Sequence, residues 1–513
     1  MSGALTLDRW IRDRARATPA RVAIHHLGRE TTYAELDERS ECLAAALLGS
    51  GLRRGDRVAT LTGNSPEHVV AFFACAKAGL ALLPLNWRLS PVELAYQLDD
   101  ADPALLLVEA EHAVLADAAL AGSSTVTRRL ELGGDEQRAL ERGAGDAVGA
   151  TVEDDDALLV VYTSGTTGKP KGALLTHANC FWTNLGLDLA TGVSGDDVVL
   201  QVLPQFHCGG WNVQPLLAWW KGATVVLERS FDAARCLRLI QERRVTTTMA
   251  VPAVYLFLSQ EPGFADADLS SLRRAVVGGA PMPEALLATW EERGVEIVQG
   301  YGLTEAAPNV LCLPPEDAVR KQGFAGKPYP YVEVALRDTD SSGELLSGPA
   351  TGELVVRGPN VFAGYWRNPE ATKAAFSDGW LLTGDIAERD GEGNYRICGR
   401  VKELYISGGE NVYPAEVEAV LHEHPAVADA AVVGVPDDRW GEVGVAFVVL
   451  EAGRDADEAE LSDWCRARLA RFKVPRDIRF CERLPRSAMD KVLKTELLEQ
   501  PELLEQPERE PVA

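Results

Sequence analysis

One run of eleven residues, 162–172, constrains this chain more than any other part of its sequence. It reads Tyr-Thr-Ser-Gly-Thr-Thr-Gly-Lys-Pro-Lys-Gly and follows directly on residues 157–161, an apolar run that predicts a buried strand. Glycines let a backbone approach a polyphosphate closely, while hydroxyls and lysines donate hydrogen bonds to its oxygens. A flexible polar turn is the simpler alternative, but so strong a bias behind a buried strand favours phosphate binding.

The order of residues in this run excludes two common phosphate motifs. A P-loop NTPase needs Gly-Lys followed at once by Ser or Thr at the start of a helix, and here Pro170 follows Lys169. The run also lacks the GxGxxG pattern of dinucleotide-binding folds. It therefore predicts a polyphosphate site of a third kind.

Composition and charge exclude several classes of partner. The 76 acidic side chains outnumber 51 basic ones and give a net charge of −25, which argues against nucleic acid or an anionic lipid surface. No stretch is long and apolar enough for a membrane span, and charged residues occupy the place of a signal-peptide core. The nine cysteines include no CxxC pair, which indicates reduced thiols. We expect a soluble cytoplasmic protein.

The chain is long enough for two or three domain-sized units, and its pattern changes twice. Strand and helix signals alternate to about residue 325; one example follows residues 57–61, where Ser65 is a good N-cap, Pro66 a good first helical residue and Gly79 a helix stop. Short strands and turns fill residues 326–400, a compact α+β unit follows over 401–500, and 501–513 is a frayed tail.

The run at 162–172 resembles the signature loop of the adenylate-forming superfamily, which includes acyl-CoA synthetases, peptide-synthetase adenylation domains and luciferases. Further segments resemble the motifs of that superfamily in the same order, with acyl-CoA synthetases as the closest branch: residues 203–210, 277–283, 299–305, 352–366, 380–385, 399–414 and 484–494. The resemblance implies an α/β fold with a large N-terminal domain, residues 1–400, of two α/β subdomains and a small β-barrel-like subdomain. A small, mobile α+β C-terminal domain would follow over 401–500.

The resemblance also implies roles in binding ATP and Mg²⁺. Tyr301 would stack on adenine, Thr304 would donate to the α-phosphate, and Glu305 would hold magnesium, which prefers hard oxygen ligands. Asp385 would accept hydrogen bonds from both ribose hydroxyls, and Arg400 would contact the ribose and the phosphates. The other residues expected around the nucleotide are Thr163, Ser164, Gly165, Thr166, Thr167, Lys171, Gly279 and Ala280.

Lys491 is the residue to which the resemblance assigns adenylation, on a hairpin of the C-terminal domain, between the substrate carboxylate and the α-phosphate. The chain departs from the superfamily pattern at the preceding position, where Asp490 replaces the usual glycine. Aspartate tolerates left-handed backbone better than most residues, but its charge would raise the pKa of the lysine or weaken its field.

The second half-reaction, thioester formation, would follow a rotation of the C-terminal domain. Lys402 matches the hinge residue, two positions after the conserved arginine. Gly408 and Gly409 match the loop that swings toward the site, where Gly409 would leave room for pantetheine.

Aromatic and basic residues of the C-terminal domain would bind the nucleotide part of coenzyme A. Trp440 and Phe472 match positions at which some relatives sandwich the adenine, and Lys473 and Arg476 would lie near the phosphates.

The acyl pocket of the superfamily is built from segments that match residues 207–211, 251–255, 278–280 and 304–309. His207 would be a gate beside the carboxylate, and no aspartate is present there to bind the amine of an amino acid. The residues expected to line the pocket are His207, Gly209, Trp211, Tyr255, Gly278, Gly279 and Pro308. Because several have little or no side chain, we expect room for a medium-to-bulky apolar acid: aryl, alicyclic or fatty.

Together these features predict an AMP-forming acid–thiol ligase of fatty acid or secondary metabolism that uses ATP, Mg²⁺ and coenzyme A. It would convert a carboxylic acid into an acyl-adenylate and then an acyl-CoA thioester, releasing AMP and pyrophosphate. One alternative is an acyl-AMP ligase that loads a carrier protein instead of CoA. Another is a nucleotide-binding homologue that has lost catalysis, which only Asp490 supports.

Overall fold

The computed structural model describes residues 3–126, 128–138, 151–163, 169–280, 282–339, 343–407, 410–437, 439–486 and 492–499. Some predicted site residues lie outside these ranges: Ser164, Gly165, Thr166, Thr167, Gly408, Gly409 and Lys491. The chain forms two compact units, one of Met1–Val334 with Val355–Leu382 and one of Ala335–Leu354 with Thr383–Ala513. Within the described ranges, no helix combines the length and the apolar character that crossing a membrane requires.

Helices and strands alternate along most of the chain. The helices are α1 Asp8–Ala17, α2 Tyr33–Gly49, α3 Pro66–Ala78, α4 Pro91–Ala101, α5 Ala113–Gly122, α6 His177–Thr191, α7 Gly209–Asn212, α8 Pro215–Lys221, α9 Ala233–Glu242, α10 Pro252–Gln260, α11 Glu284–Glu291, α12 Pro369–Ala374, α13 Pro414–His422, α14 Glu458–Arg466 and α15 Lys494–Glu499. The strands are β1 Val22–His26, β2 Arg29–Thr32, β3 Arg57–Leu61, β4 Ala81–Leu85, β5 Leu105–Val108, β6 Arg129–Glu131, β7 Ala157–Thr163, β8 Lys171–Thr176, β9 Val198–Gln201, β10 Thr224–Leu227, β11 Thr247–Ala250, β12 Arg274–Val277, β13 Ile297–Gly302, β14 Asn309–Cys312, β15 Lys327–Pro328, β16 Glu333–Arg337, β17 Leu345–Leu346, β18 Ala350–Arg357, β19 Gly364–Tyr365, β20 Phe376–Ser377, β21 Trp380–Arg389, β22 Tyr395–Arg400, β23 Tyr405–Ser407, β24 Glu410–Val412, β25 Val427–Asp437, β26 Gly441–Leu450 and β27 Asp477–Phe480.

Local sequence signals define the βαβ unit from β3 to β4. The Ser65 hydroxyl accepts a hydrogen bond from the His68 N–H, and Pro66 occupies the first turn of α3. Gly79 ends the helix in the left-handed conformation, φ +67°, which glycine adopts without steric cost. The two strands pair in parallel. This unit has the bounds that the sequence predicts.

The first unit contains a nine-stranded sheet in the order β15, β14, β13, β12, β11, β9, β10, β1 and β2. Its central strands, from β13 to β1, pair in parallel, and antiparallel strands form both edges. The side chains of Ile240, Tyr255 and Trp290 bring α9, α10 and α11 into one core with this sheet. A parallel sheet covered by helices is the expected result of alternating strand and helix signals.

A second sheet of the same unit has seven strands in the order β19, β8, β7, β4, β3, β5 and β6. Strands β7 and β8 are antiparallel neighbours with Thr163 opposite Lys171, so the predicted phosphate run connects two paired strands. Strand β19 pairs with β8 and brings Tyr365 opposite Ala173. This edge of the sheet carries the residues of the candidate site.

Residues 333–400 contribute a six-stranded sheet in the order β17, β16, β18, β21 and β20, with β22 paired to β21. Its strands come from the part of the chain for which the sequence predicts a small β subdomain. The loop at 390–394 connects β21 to β22, which form an antiparallel pair.

The second unit also contains an α+β region with strands in the order β24, β23, β26 and β25, and with β27 parallel to β26. Helix α13 begins at Pro414 and buries Val417 and Leu421 in a core that includes Val448 of the sheet. Val417 and Leu421 lie on one face of α13, because a spacing of four residues follows the helical repeat.

Candidate active site

Four of the predicted site segments follow neighbouring strands of the nine-stranded sheet. Strands β9, β11, β12 and β13 lie side by side and are parallel, so the segments that follow them leave the same edge of the sheet. These segments contain the predicted pocket residues His207, Tyr255, Gly278 and Pro308. Ligand sites of α/β sheets lie at the carboxyl ends of the strands.

Three glycines at this edge lie in close contact with neighbouring segments. A Cβ added at Gly210 would lie 2.2 Å from the Pro204 carbonyl oxygen. A Cβ added at Gly302 would lie 1.9 Å from the Pro308 carbonyl oxygen. At Gly278 a Cβ would lie 2.8 Å from Cε of Met249. Close packing alone therefore accounts for the absence of a side chain at Gly210 and Gly278. The role of Gly278 in an acyl pocket stays a prediction.

The other small residues expected at the site are more open. Gly209 is half-buried, and a Cβ there would make only ordinary contacts, the nearest 3.7 Å away. Gly279 and Ala280 are exposed directly after β12, and Gly279 has a left-handed backbone with φ +84°. An exposed turn after a parallel strand suits a binding role.

The two aromatic residues expected as pocket walls are fully buried. The Trp211 ring stacks on Phe72 with centroids 4.6 Å apart, and its indole N–H donates to the Gln205 carbonyl at 2.6 Å. The Tyr255 hydroxyl donates to the Val276 carbonyl at 2.8 Å, and burial raises the pKa of this phenol. Both residues have a packing role, and their role as walls stays a prediction.

His207, the expected gate, is half-buried. Its ring lies at 62° to Phe206 with centroids 4.6 Å apart. Phe206 in turn contacts Trp87 edge-on, and the Arg88 guanidinium lies 5.6 Å from the Phe206 centroid. The imidazole thus belongs to a small aromatic and cationic cluster that the segments after β9 and β4 form together.

The turn after β13 carries Thr304 and Glu305 and is held mainly by backbone hydrogen bonds. The Leu303 N–H donates to the Pro308 carbonyl at 3.1 Å, and the Phe362 N–H donates to the Glu305 carbonyl at 2.9 Å. The buried Asn360 amide donates to the carbonyls of Ala306 and Asn309 at 2.8 and 3.2 Å. The backbone on both sides of the cis Ala307–Pro308 peptide is therefore fixed.

The Glu305 carboxylate lies beside Thr163, at the start of the predicted phosphate run. Its Oε1 atom accepts a hydrogen bond from the Thr163 hydroxyl at 3.2 Å and another from the Tyr365 hydroxyl at 2.9 Å. The Lys171 ammonium, on the strand that leaves the run, lies 5.2 Å from the centroid of the Tyr365 ring. The structure thus brings together three predicted residues, Thr163, Lys171 and Glu305.

Tyr365 has no role in the sequence prediction, although it lies within a segment, 352–366, that resembles a superfamily motif. Its hydroxyl reaches Glu305 because β19 pairs with β8, a contact between distant parts of the chain. Burial, followed by the charge of Glu305 and the hydrogen bond to it, raises the pKa of the Tyr365 phenol. The phenol is therefore protonated at neutral pH and acts as a donor.

The Glu305 carboxylate offers the kind of oxygen ligand that a magnesium ion binds. Magnesium is normally bound through one or two carboxylates together with phosphate oxygens and water, so Glu305 would hold it with ATP present. A second acidic cluster, Glu109, Glu111 and His112, fits a cation less well. The Arg229 guanidinium forms ion pairs with both carboxylates and already offsets part of their charge.

Tyr301 is half-buried on β13, and its backbone is opposite Leu311 of β14. Thr304, three residues further on, is also half-buried. Both residues lie on the segment that presents Glu305, and their contacts with adenine and with the α-phosphate stay predictions.

In the second unit, Asp385 and Arg400 face each other across β21 and β22. The Arg400 Nε atom lies 2.7 Å from Oδ1 of Asp385, whose side chain is 7% exposed, and the Asp385 N–H donates to the Thr383 hydroxyl at 3.0 Å. A buried carboxylate beside a half-exposed guanidinium suits hydroxyl and phosphate groups of a nucleotide. Their ribose role stays a prediction.

The aromatic residues expected at the CoA nucleotide are exposed, Trp440 by 48% and Phe472 by 37%. Exposed aromatic rings are available for stacking. Their basic neighbours are paired within the second unit: the Lys473 ammonium lies 2.6 Å from Glu416, and Arg476 pairs with Asp437. Lys402, the expected hinge, lies in the turn between β22 and β23.

Comparison with known protein families decides the broader assignment. The family model described as AMP-binding enzyme matches residues 11–366, and that of the AMP-binding enzyme C-terminal domain matches residues 416–491. This chain belongs to the AMP-binding enzyme family.

This AMP-binding enzyme is similar to curated relatives over almost its whole length. A feruloyl-CoA synthase from Amycolatopsis is 43% identical over 493 residues, which cover 96% of this chain and 98% of the relative. An indoleacetate–CoA ligase from Aromatoleum aromaticum is 42% identical over 499 residues, with coverage of 96% and 98%.

Solved structures of similar proteins have the same fold. The o-succinylbenzoate CoA synthetase MenE from Bacillus subtilis, in complex with an acyl-adenylate intermediate, gives a TM-score of 0.86 at 34% identity, covering 95% of this chain and 97% of MenE. ATP-bound MatB from Rhodopseudomonas palustris gives 0.89 at 34% identity, covering 97% and 99%.

These comparisons confirm the predicted adenylate-forming superfamily and a mixed α/β fold with a large N-terminal and a small C-terminal domain. They also confirm the predicted class, an AMP-forming acid–CoA ligase, and its use of ATP, Mg²⁺ and coenzyme A. The roles of individual residues stay predictions.

We expect the substitution Gly302→Ala to lower kcat/KM of this AMP-binding enzyme for its acid about 100-fold, because a displacement of about 1 Å near a reaction centre has this effect. The added Cβ would overlap the Pro308 carbonyl oxygen at 1.9 Å and displace the turn that carries Glu305. Steady-state kinetics measure the change.

Gly300→Ala, on the same strand as Gly302, is the matched control, because its added Cβ would lie 3.4 Å from the nearest atom, the Leu311 carbonyl oxygen of β14. This control should stay within about threefold of the parent enzyme, since an ordinary van der Waals contact displaces nothing. Equal kcat/KM values for the two variants would contradict the packing argument.

Proposed function

We propose that this chain is an ATP-dependent ligase that joins a medium-to-bulky apolar carboxylic acid to coenzyme A through an acyl-adenylate. The observation that carries the proposal is the hydrogen bond between Thr163, at the start of the predicted phosphate run, and the Glu305 carboxylate. A carboxylate beside bound phosphates repels them unless a cation lies between. The pair therefore supports a site for a magnesium nucleotide.

The chemistry itself requires such a site. The acid carboxylate must approach the α-phosphate of ATP, and two unit charges about 4 Å apart repel by roughly 4 kcal/mol at an effective dielectric constant of about 20. Magnesium held by Glu305 would supply positive charge beside the phosphate oxygens. Thr304 and the run at 164–168 would donate hydrogen bonds to those oxygens, and Lys491 would contact both anions.

Asp385 and Arg400 would orient the nucleotide. The Asp385 carboxylate would accept hydrogen bonds from the ribose hydroxyls, while Arg400 would keep the charge of Asp385 compensated and reach toward the phosphates. Their ion pair at 2.7 Å supports this assignment, because it orients the carboxylate in advance and lowers the entropy lost on binding.

The substrate class rests on the pocket segments and on the relatives. Segments after four parallel strands would line the acyl site, and His207 lies where an amino-acid-activating enzyme would need an acidic residue. The two relatives described above are named for aromatic acids, a feruloyl group and indoleacetate. We therefore expect an aryl acid first, with alicyclic and fatty acids as members of the same apolar class.

Coenzyme A is the proposed acyl acceptor, and Trp440 and Phe472 would stack on its adenine. Lys473 would change partner from Glu416 to a phosphate when CoA binds, and Lys402 would be the hinge between the half-reactions. The acidic net charge of −25 and the absence of CxxC pairs support a cytoplasmic location.

A panel of carboxylic acids tests the proposed reaction. The enzyme should release pyrophosphate in an acid- and CoA-dependent manner, with kcat/KM for ferulate, indoleacetate or octanoate about 100-fold above that for acetate. The physical reason is that each additional buried methylene contributes about 0.8 kcal/mol, so a small acid leaves most of the pocket unused. Coupled pyrophosphate assays measure the rates.

Two controls separate the alternatives. Replacing CoA by a phosphopantetheine carrier protein should abolish thioester formation, and faster acylation of the carrier would contradict the choice of acceptor. Turnover of acetate or propionate alone would contradict the substrate class.

Lys491→Ala should lower adenylation by at least about 1,000-fold while thioester formation from supplied acyl-adenylate stays within about tenfold. Loss of one charge stabilising a transition state typically costs several kcal/mol, and only the first half-reaction brings two anions together. Lys327→Ala, which removes an exposed lysine of the first unit, is the control. Equal loss in both half-reactions would show that Lys491 does not have the proposed role.

A further inference from the structure

We propose that Tyr365 is a positioning residue for magnesium: its phenol holds one oxygen of Glu305 so that the other remains available to the ion. This inference rests on the proposed function, in which Glu305 holds the metal. Tyr365 itself would touch neither the acid nor the nucleotide.

The geometry at the carboxylate is asymmetric. Oε1 accepts both hydroxyl hydrogen bonds, from Tyr365 at 2.9 Å and from Thr163 at 3.2 Å. No hydrogen bond or ion pair to Oε2 occurs among the residues that the structure describes. A carboxylate held by two donors on one oxygen cannot rotate freely, so its second oxygen keeps a fixed direction.

The Tyr365 side chain is well placed to fix that direction, because its own backbone is fixed. Strand β19 pairs with β8, and the next residue, Trp366, donates its N–H to the Gly172 carbonyl at 2.7 Å. The Tyr365 N–H donates to the Thr372 hydroxyl at 2.9 Å. The pairing of β19 with β8 thus holds Tyr365 beside the strand that follows the phosphate run.

The ring is held from two sides. Phe362 packs edge-on against it with centroids 4.9 Å apart and an angle of 78°. The Lys171 ammonium lies 5.2 Å from the ring centroid, within the range of a cation–π contact. Phe362 also donates its N–H to the Glu305 carbonyl, so the same short segment fixes both the backbone and the side chain of Glu305.

Groups that orient a metal ligand without touching the metal have large effects on metal affinity. Removing such a partner typically lowers metal affinity by about 10- to 100-fold. A phenol hydroxyl can donate and an ionised carboxylate can only accept, so the contact is a hydrogen bond that Tyr365 donates to Glu305. Phenylalanine at this position would keep the ring packing and remove only the donor.

The test measures Mn²⁺ binding to the full-length enzyme with α,β-methylene-ATP, a nucleotide that cannot be cleaved between its α and β phosphorus atoms. Free Mn²⁺ is followed by electron paramagnetic resonance. Tyr365→Phe should raise the Mn²⁺ dissociation constant by roughly tenfold. The Mg²⁺ concentration for half-maximal turnover should rise by a similar factor, with kcat at saturating Mg²⁺ within about threefold.

Tyr33→Phe is the matched control. The buried Tyr33 hydroxyl donates to the Ala223 carbonyl at 2.6 Å and makes no hydrogen bond with Glu305 among the described residues, so this variant also loses one tyrosine donor. Its Mn²⁺ dissociation constant should equal that of the parent enzyme. Thr163→Val, which removes the other donor from Oε1, should weaken Mn²⁺ binding in the same direction as Tyr365→Phe.

The outcomes separate this inference from the proposed function. If Glu305→Gln weakens Mn²⁺ binding but Tyr365→Phe leaves it within twofold of the parent, the role of Tyr365 is wrong and the proposed function is unaffected. If Glu305→Gln also leaves Mn²⁺ binding unchanged, the metal assignment itself is wrong. A lower kcat for Tyr365→Phe at every Mg²⁺ concentration, with unchanged Mn²⁺ affinity, would indicate a structural effect and overturn the inference.

Discussion

The hydrogen bond between Thr163 and Glu305 is the contact on which the account of this site depends. It joins the end of a strand in one sheet to the turn after a strand in the other. Without it, a run of hydroxyls and glycines would be only a polar connection, and a carboxylate after a parallel strand would be only a surface charge. The contact between the run and the carboxylate creates one location at which phosphates and a cation can bind together.

The surrounding structure serves to keep that contact in place. Asn360 donates to two carbonyls of the turn, and Gly302 allows the Pro308 carbonyl to approach. A buried hydrogen bond contributes about 1 kcal/mol, whereas leaving one partner unsatisfied costs about 1–3 kcal/mol. The turn is therefore maintained by several modest interactions.

Local signals in the sequence predict much of the fold. Ser65, Pro66 and Gly79 determine the ends of α3 because capping and left-handed backbone depend on single residues. The pairing of Asp385 with Arg400 also follows from a local feature, the polar loop at 390–394 between β21 and β22. In each case the residues that carry the information are close in sequence.

Contacts between distant segments are the part that the sequence does not reveal. Tyr365 reaches Glu305 through the pairing of β19 with β8, and no periodicity or turn signal near residue 365 indicates that register. Trp211 and Tyr255 illustrate the same limit, because a motif can indicate a segment of the pocket without indicating which side chains turn into the core. Register and side-chain direction arise from tertiary packing.

The most direct test of the central claim is the exchange of labelled pyrophosphate into ATP without coenzyme A, compared between the parent enzyme and Glu305→Gln. The account predicts acid- and Mg²⁺-dependent exchange in the parent and a loss of at least about 100-fold in the variant, because a single carboxylate holds the metal. Exchange at the parent rate in Glu305→Gln would contradict it.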